Sequence, residues 1–531
     1  MKRVLALMLA LLMAVSCFAG CDDSDYESYY TPDTTPTRAP IELDEPDTYP
    51  TEDEPAETEP VVTEPAVTEP APTEAVVTDQ LIAVDGEQIS YVMIYNPQIY
   101  TSDYSPEALR TGTISNQINV DLNKAGELEG DVEIEPYDQP TVDPDFLDKI
   151  NLDGGKADGL GKFYMVGDQE VFYCGSQNDI NTRTMQTFTC VYAGTHANIW
   201  VYTDLDQNLL TKLGNAFDSS IYQNCVSRFG EPRFGEIVNF LVYPFDGNQN
   251  TVGFFHNLDL FSFMECDDET AQSYGVNRDI NVVNMNALWL ADEATFTSTL
   301  AHEFQHLLCF TGYFSAGNQC DVWFNEAMSG YIEEELYPGS KASSVESFHL
   351  SERIRFGQSL YNFGTDVTSF KFDIGVYGSV YLFSEYMKNI AGGDVFSNFH
   401  ENWRNTYYAM DTFDGIYEVI PDDVRAQVDS LITYPDHIYF ASESMEWVSK
   451  FTLSFYLSTF TMDNNTPENY RNLYLDYLLY DSIVDANIEG GGRVILATLD
   501  GTFEIPEDAD DGLVYVGLNE NMQVVTNIVC N

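Results

Sequence analysis

Positive charge is what this sequence has least of. Its 531 residues carry 23 lysines and arginines against 86 aspartates and glutamates, a formal net charge of −63. Such a field repels nucleic acid and anionic lipid heads, so polyanion binding is excluded as a main function. It suits a solvated protein in an external medium. Long apolar runs are missing after residue 15, so the mature chain is not expected to span a membrane. A dense cysteine scaffold is missing too. Seven cysteines follow Cys21: Cys174, Cys190, Cys225, Cys266, Cys309, Cys320 and Cys530. Their number is odd, and sequence alone does not pair them. Cys174 with Cys190, or Cys309 with Cys320, would suit a disulfide in an exported protein, and buried free thiols are the alternative. What is abundant is apolar residue, 44% of the chain with 14% aromatic, which excludes wholesale disorder. The length points to two to four domains.

The amino end reads as an export signal. Lys2 and Arg3 precede "VLALMLALLMAV", an apolar stretch too short to cross a bilayer comfortably. "FAGC" then resembles a bacterial lipobox, which implies residues 1–21 as the lipoprotein signal, cleavage just before Cys21 and a lipid on that cysteine; Cys17 in "AVSC" is the competing site, and ordinary cleavage near Gly20 without lipid is the alternative. Residues 22–80 are rich in Thr, Pro, Glu and Asp, with the near-repeat "TEPVVTEPAVTEPAPTEA". Prolines keep such a segment extended and its acids repel each other, so it reads as a disordered tether. The expected location is the outer face of a bacterial cell membrane, held by the lipid alone.

From residue 81 to 205 the runs "ISYVMIY", "KFYMVGDQEVFYC" and "ANIWVYT" are strand-like, and we expect a β-rich accessory module of sandwich type. Residues 206–475 change character. "NLLTKLGNAFDSSIYQNCVSRFG" has helical spacing, "IVNFLVYPF" and "INVVNMNALWL" read as strands, and mainly helices follow to about Tyr456. In the second strand Val282, Asn284, Asn286 and Leu288 are expected on one face. Residues 476–531 return to strands and turns as a small C-terminal β unit. The acidic turns "NLDGG", "TDLDQN" and "EDADDG" match no EF-hand loop and read as solvated turns, with Ca2+ as the alternative.

Two of the seven histidines stand four apart in "TSTLAHEFQHLLCF", residues 297–310. On a helix, His302 and His306 lie about 40° apart on one face with Glu303 beside them, while Leu300, Phe304, Leu307 and Leu308 form the apolar side. Both imidazoles can reach one zinc ion, and the glutamate then faces water at that ion. The competing reading is a helix whose histidines are surface or core residues. A catalytic zinc wants three protein ligands and an open position. Nineteen residues separate His306 from Glu326, which stands in "DVWFNEAMSGYIEEELYPG". Phe324, Met328, Ile332 and Leu336 form an apolar ladder with Glu326 pointing away from it. Ala327 and Gly330 are small enough for the two helices to approach closely. The competing reading of Glu326 is a solvated acid, like Glu333, Glu334 and Glu335.

"HEFQH" with "WFNEAMSGYIEE" resembles the gluzincin metallopeptidases, and within them the hyicolysin family of secreted bacterial peptidases, through His302, Glu303, His306, Trp323, Asn325 and Glu326. Ala327 departs from the glycine usual in that motif. The likeness runs weakly from "KFYMVGDQEVF" to "YGSVYLFSEY". It implies an α+β fold: a gluzincin-type metallopeptidase domain, with a mixed sheet, the HExxH helix and a mainly helical C-terminal subdomain, flanked by the two β-rich parts. It implies a zinc metalloendopeptidase acting as a monomer on protein or peptide, with one Zn2+ on His302, His306 and Glu326, Glu303 as general base, and Asn325 orienting a ligand. Tyr377 in "DIGVYGSVYLFSEYM" resembles the oxyanion-binding tyrosine of related aminopeptidases, with Tyr381, His349 and His400 as rivals. His196, His256 and His437 read as structural. The strand before the zinc helix corresponds to the gluzincin edge strand that pairs with substrate. The alternatives are a surface adhesin on an inactive peptidase fold, or a peptidase for glycosylated or cell-wall substrates.

Overall fold

A computed structural model describes residues 81–84, 87–99, 111–115, 163–175, 183–245, 251–316, 320–351, 357–361, 363, 375–405, 411–461, 485–498, 501, 503–505, 509–521 and 523–531. The signal sequence, Cys21, the tether and the "NLDGG" turn lie outside these residues. The fold is mixed α+β. Among the described residues three sheets occur. The first is antiparallel and runs β10-β1-β11-β12, where β1 is Tyr91–Tyr95, β10 Arg493–Ala497, β11 Val514–Leu518 and β12 Val524–Cys530. The second pairs β2 (Thr111–Ser115) with β9 (Asp485–Glu489). The third has six strands in the order β3-β4-β5-β6-β8-β7: β3 is Gln169–Cys174, β4 Thr184–Ala193, β5 Ala197–Val201, β6 Val238–Tyr243, β7 Gly253–Phe254 and β8 Asn281–Asn286.

The third sheet corrects the expected boundary at 205/206. Strands β3 to β5 form no separate sandwich. β5 pairs in parallel with β6, and β6 in parallel with β8. All three are buried along their whole length, as strands covered on both faces must be. A parallel pair needs a crossover. Here it is α1 (Gln207–Ala216), a π-helical turn (Phe217–Ile221) and α2 (Tyr222–Phe229). The change to helical spacing at residue 208 therefore marks a crossover, not a domain border. The "TDLDQN" turn starts that crossover: Asp206 caps α1, its carboxylate accepting the Asn208 and Leu209 amides. The C-terminal β unit is likewise not self-contained, because β1 is the strand between β10 and β11.

Register also decides one cysteine pair. Cys174 sits opposite Thr184 and Cys190 opposite Trp200, so the two lie at opposite ends of the β3–β4 ladder, about 20 Å apart along the strand. No disulfide joins them. Cys309 and Cys320 do meet, as free buried thiols within hydrogen-bonding reach.

β8 leads through a 3-10 turn (Ala287–Trp289) into the long helix α4 (Glu293–Ala316). Strand pairing ends at Asn286, so Leu288 leaves the sheet and is exposed. Asp292 starts α4 by accepting the Thr295 amide at 3.2 Å. The helix lies against the crossover, with the Phe304 ring 5.0 Å from Phe217 and 5.7 Å from Tyr222. After α3 (Asp268–Tyr274), which precedes β8, and α4, the chain is helical: α5 (Val322–Leu336), α6 (Ala342–Leu350), α7 (Gly375–Ala391), α8 (Val395–Asn405), α9 (Thr412–Val419), α10 (Asp422–Asp429) and α11 (Glu443–Thr461). No helix among the described residues is long and apolar enough to cross a membrane.

Candidate metal centre

Helices α4 and α5 pack side by side and bring three groups to one point. His302 and His306 stand one turn apart on α4, ring centroids 4.8 Å apart. Glu326, in the second turn of α5, reaches between them. Its Oε2 lies 3.3 Å from His302 Nε2, and its Oε1 lies 3.5 Å from His306 Nε2. The ligand atoms of the three residues all fall within 4.8 Å of one another. Phe324, Met328 and Ile332 are buried as the ladder requires, and Leu336 is half-buried.

The site can be tested for metal. Tetrahedral bonds of about 2.0–2.1 Å place neighbouring ligand atoms about 3.3–3.4 Å apart. The two ring-to-carboxylate separations, one to each oxygen of Glu326, are close to that edge. All three residues are 0–1% exposed. Neither carboxylate oxygen of Glu326 and neither ring nitrogen of His306 makes a hydrogen bond. Buried polar groups are ordinarily satisfied, so a converging set of unsatisfied lone pairs fits a site that takes a metal ion. The donor set, two imidazoles and a carboxylate, is one that zinc takes.

Glu303 follows His302 and is 1% exposed. Burial pushes its carboxyl up to about 7, against the pull of both histidines and with help from Glu326. Neither of its oxygens has a hydrogen-bond partner. Its neighbour across the site is β7. A Cβ built on Gly253 would lie 3.1 Å from Glu303 Cγ and 3.0 Å from Thr299 Cγ2, so the missing side chain makes room for the α4 face. This corrects the edge-strand expectation. β8 is interior, and the edge beside the site is the two-residue β7, antiparallel to β8. Asn286 ties that edge down by donating to Thr251 O at 2.8 Å.

The Asn325 carboxamide oxygen is buried and makes no hydrogen bond. The ring of His302 is held by Glu333, whose Oε2 is 3.0 Å from Nδ1. With Glu333 ionised, Nδ1 carries the proton and Nε2 presents its lone pair to the site. Burial raises the Glu333 carboxyl, but Lys341 and His302 outweigh it and hold the group at about 2. Sequence reading placed Glu333 among solvated acids. The available signal was its spacing, seven residues after Glu326, two turns along the same face. Gly330 does not mediate the α4–α5 approach; it faces Tyr381 of α7, where an added Cβ would make an ordinary 3.4 Å contact.

Tyr377 is buried in the first turn of α7, its ring edge-on to Phe363 at 4.8 Å. That helix packs on α5 and α6. His400 lies against Phe229 at 5.3 Å. The His349 side chain lies outside the described residues. His196 stacks on Tyr222 at 3.8 Å, which is a packing role.

No family model and no curated protein matches the chain, so the hyicolysin resemblance has no support from them. Among solved structures it is similar to native yeast LTA4 hydrolase, with a TM-score of 0.30 and 15% identity. That likeness covers 54% of this chain and spans about half, 51%, of the yeast protein. The reading below rests on the site.

Proposed function

We propose that this chain is a zinc-dependent peptidase of gluzincin type, an endopeptidase held outside the cell by a lipid on Cys21. The observation that carries the proposal is the buried convergence of His302, His306 and Glu326 with an unpartnered Glu303 beside it. Zinc bound there supplies a Lewis acid that makes water nucleophilic near neutral pH and polarises a carbonyl. Glu303 takes the proton of the attacking water and returns it to the leaving amine. A carboxylate beside the ion can accept a proton and give it back, which suits it to both transfers. Glu333 keeps His302 in one tautomer. Tyr377 donates its hydroxyl to the developing oxyanion.

The test is metal analysis of the purified protein together with casein cleavage by wild type and Glu303→Gln. We expect one zinc per chain in both, and hydrolysis reduced by about 10²–10⁴-fold in the variant. Absence of zinc, or undiminished cleavage, refutes the proposal.

A further inference from the structure

Three consecutive glutamates close α5, and each has its own partners. Glu335 pairs with Arg228 and Lys388 and accepts the Tyr331 hydroxyl. Glu334 accepts the amides of Gly339 at 2.7 Å and Lys341 at 2.9 Å, which fixes the turn after the helix. That turn carries Lys341 back toward α5. There its Nζ lies 2.5 Å from Glu333 Oε2, the same oxygen that meets His302. Ser298 of α4 donates to the other oxygen at 3.0 Å.

Lys341 is 2% exposed. A compact, strongly hydrated ammonium is not buried without a compensating partner. The region it enters holds three buried carboxylates, Glu303, Glu326 and Glu333. Burying like charges together without counter-charge opposes folding. Lys341 meets one of them, Glu333, through the oxygen that faces His302 Nδ1, on the side of the ring away from Glu326.

On the zinc reading of the site, we infer that Lys341 is a positioning residue: a resident cation that lets the metal site assemble before metal arrives, and that moderates metal affinity by repelling the incoming ion. Two opposite signs follow. Removing Lys341 leaves an excess of buried negative charge that zinc then relieves. Removing the Glu333 carboxylate leaves His302 without its orienting partner.

The experiment uses the full chain of wild type, Lys341→Met and Glu333→Gln, each stripped of metal by a chelator and then reloaded with zinc. Melting temperature and chelator-competition affinity are read. Lys341→Met is expected to lower the melting temperature of the metal-free protein by several degrees more than that of the zinc-loaded one. Its zinc affinity rises about tenfold, equivalent to about 1.4 kcal/mol. Glu333→Gln weakens affinity by about 10–100-fold. Equal destabilisation of both forms, or weaker zinc binding by Lys341→Met, overturns the inference and leaves Lys341 a packing residue. Should Lys341→Met fold in neither form, Lys341→Met combined with Glu333→Gln decides. Removing both charges must restore folding without zinc, and failure to do so overturns the inference. A wild type that binds no zinc refutes the metal reading itself, and this inference with it.

Discussion

On the proposed reading, single residues at the site divide into those that would hold the ion and those that would act beside it, and substitutions separate them. Glu326→Gln removes a ligand charge and is expected to abolish stoichiometric zinc, by metal analysis, together with casein cleavage. Glu303→Gln is expected to keep the zinc and lose only the cleavage. The four principal groups were legible in the sequence for a physical reason. Two histidines four apart share a helix face wherever that helix lies, and the apolar ladder of α5 fixes which way Glu326 points. Glu333 and Lys341 were not legible. In a chain with 86 acids, an acidic triplet reads as a wet helix end. Only the turn held by Glu334 shows that the middle of the charge cluster is dry.

Packing between elements makes its own demands. Gly378 of α7 sits where an added Cβ would come within 2.1 Å of the Ser344 carbonyl oxygen and 2.8 Å of Phe348 Cβ on α6. Backbone cannot step aside cheaply, so Gly378→Ala should destabilise by about 1–3 kcal/mol. Gly330→Ala, with its nearest neighbour at ordinary contact distance, should be neutral or stabilise by up to about 1 kcal/mol from helix propensity. Thermal melts of the two variants check the contrast. The start of α5 adds a dependence on pH. Desolvation, and then the nearby Asp411, push the half-buried Asp321 carboxyl up to about 6, from an ordinary value near 3.8. A raised acid binds its proton more tightly in the folded state, so stability is lost as pH rises from about 4 to about 6. Asp321→Asn should therefore be more stable than wild type at pH 8 by about 1–2 kcal/mol, discounted for partial exposure, with the gain vanishing below about pH 4. Melts at the two pH values test it. Most helices and strands here were visible from their periodicity. What periodicity did not show was partnership: it marks β5 as buried without saying that β6, across a crossover, buries it.

At the scale of the molecule, the two ends of the described chain build one sheet. Tyr91 to Tyr95 pair with Arg493 to Ala497 on one side and with Val514 to Leu518 on the other, about 400 residues away. Ala83 adds a bridge to Thr526. A truncation after residue 475, the boundary that composition suggests, would strip β1 of both neighbours. It should yield insoluble or protease-sensitive protein rather than a smaller active enzyme, which limited proteolysis and soluble yield would show. No local pattern announces such a pairing, because its partners are set by the tertiary fold. The same arrangement sets a schedule. If the chain leaves the cell amino end first, β1 emerges early, all five of its residues destined for burial, and must wait through nearly the whole length of the protein for the strands on either side of it. Contacts so distant along the chain form slowly. For that interval a strand destined for burial, "YVMIY", travels unpaired, and the acidic segment just ahead of it is the part of the sequence best suited to keep neighbouring chains apart until the sheet closes.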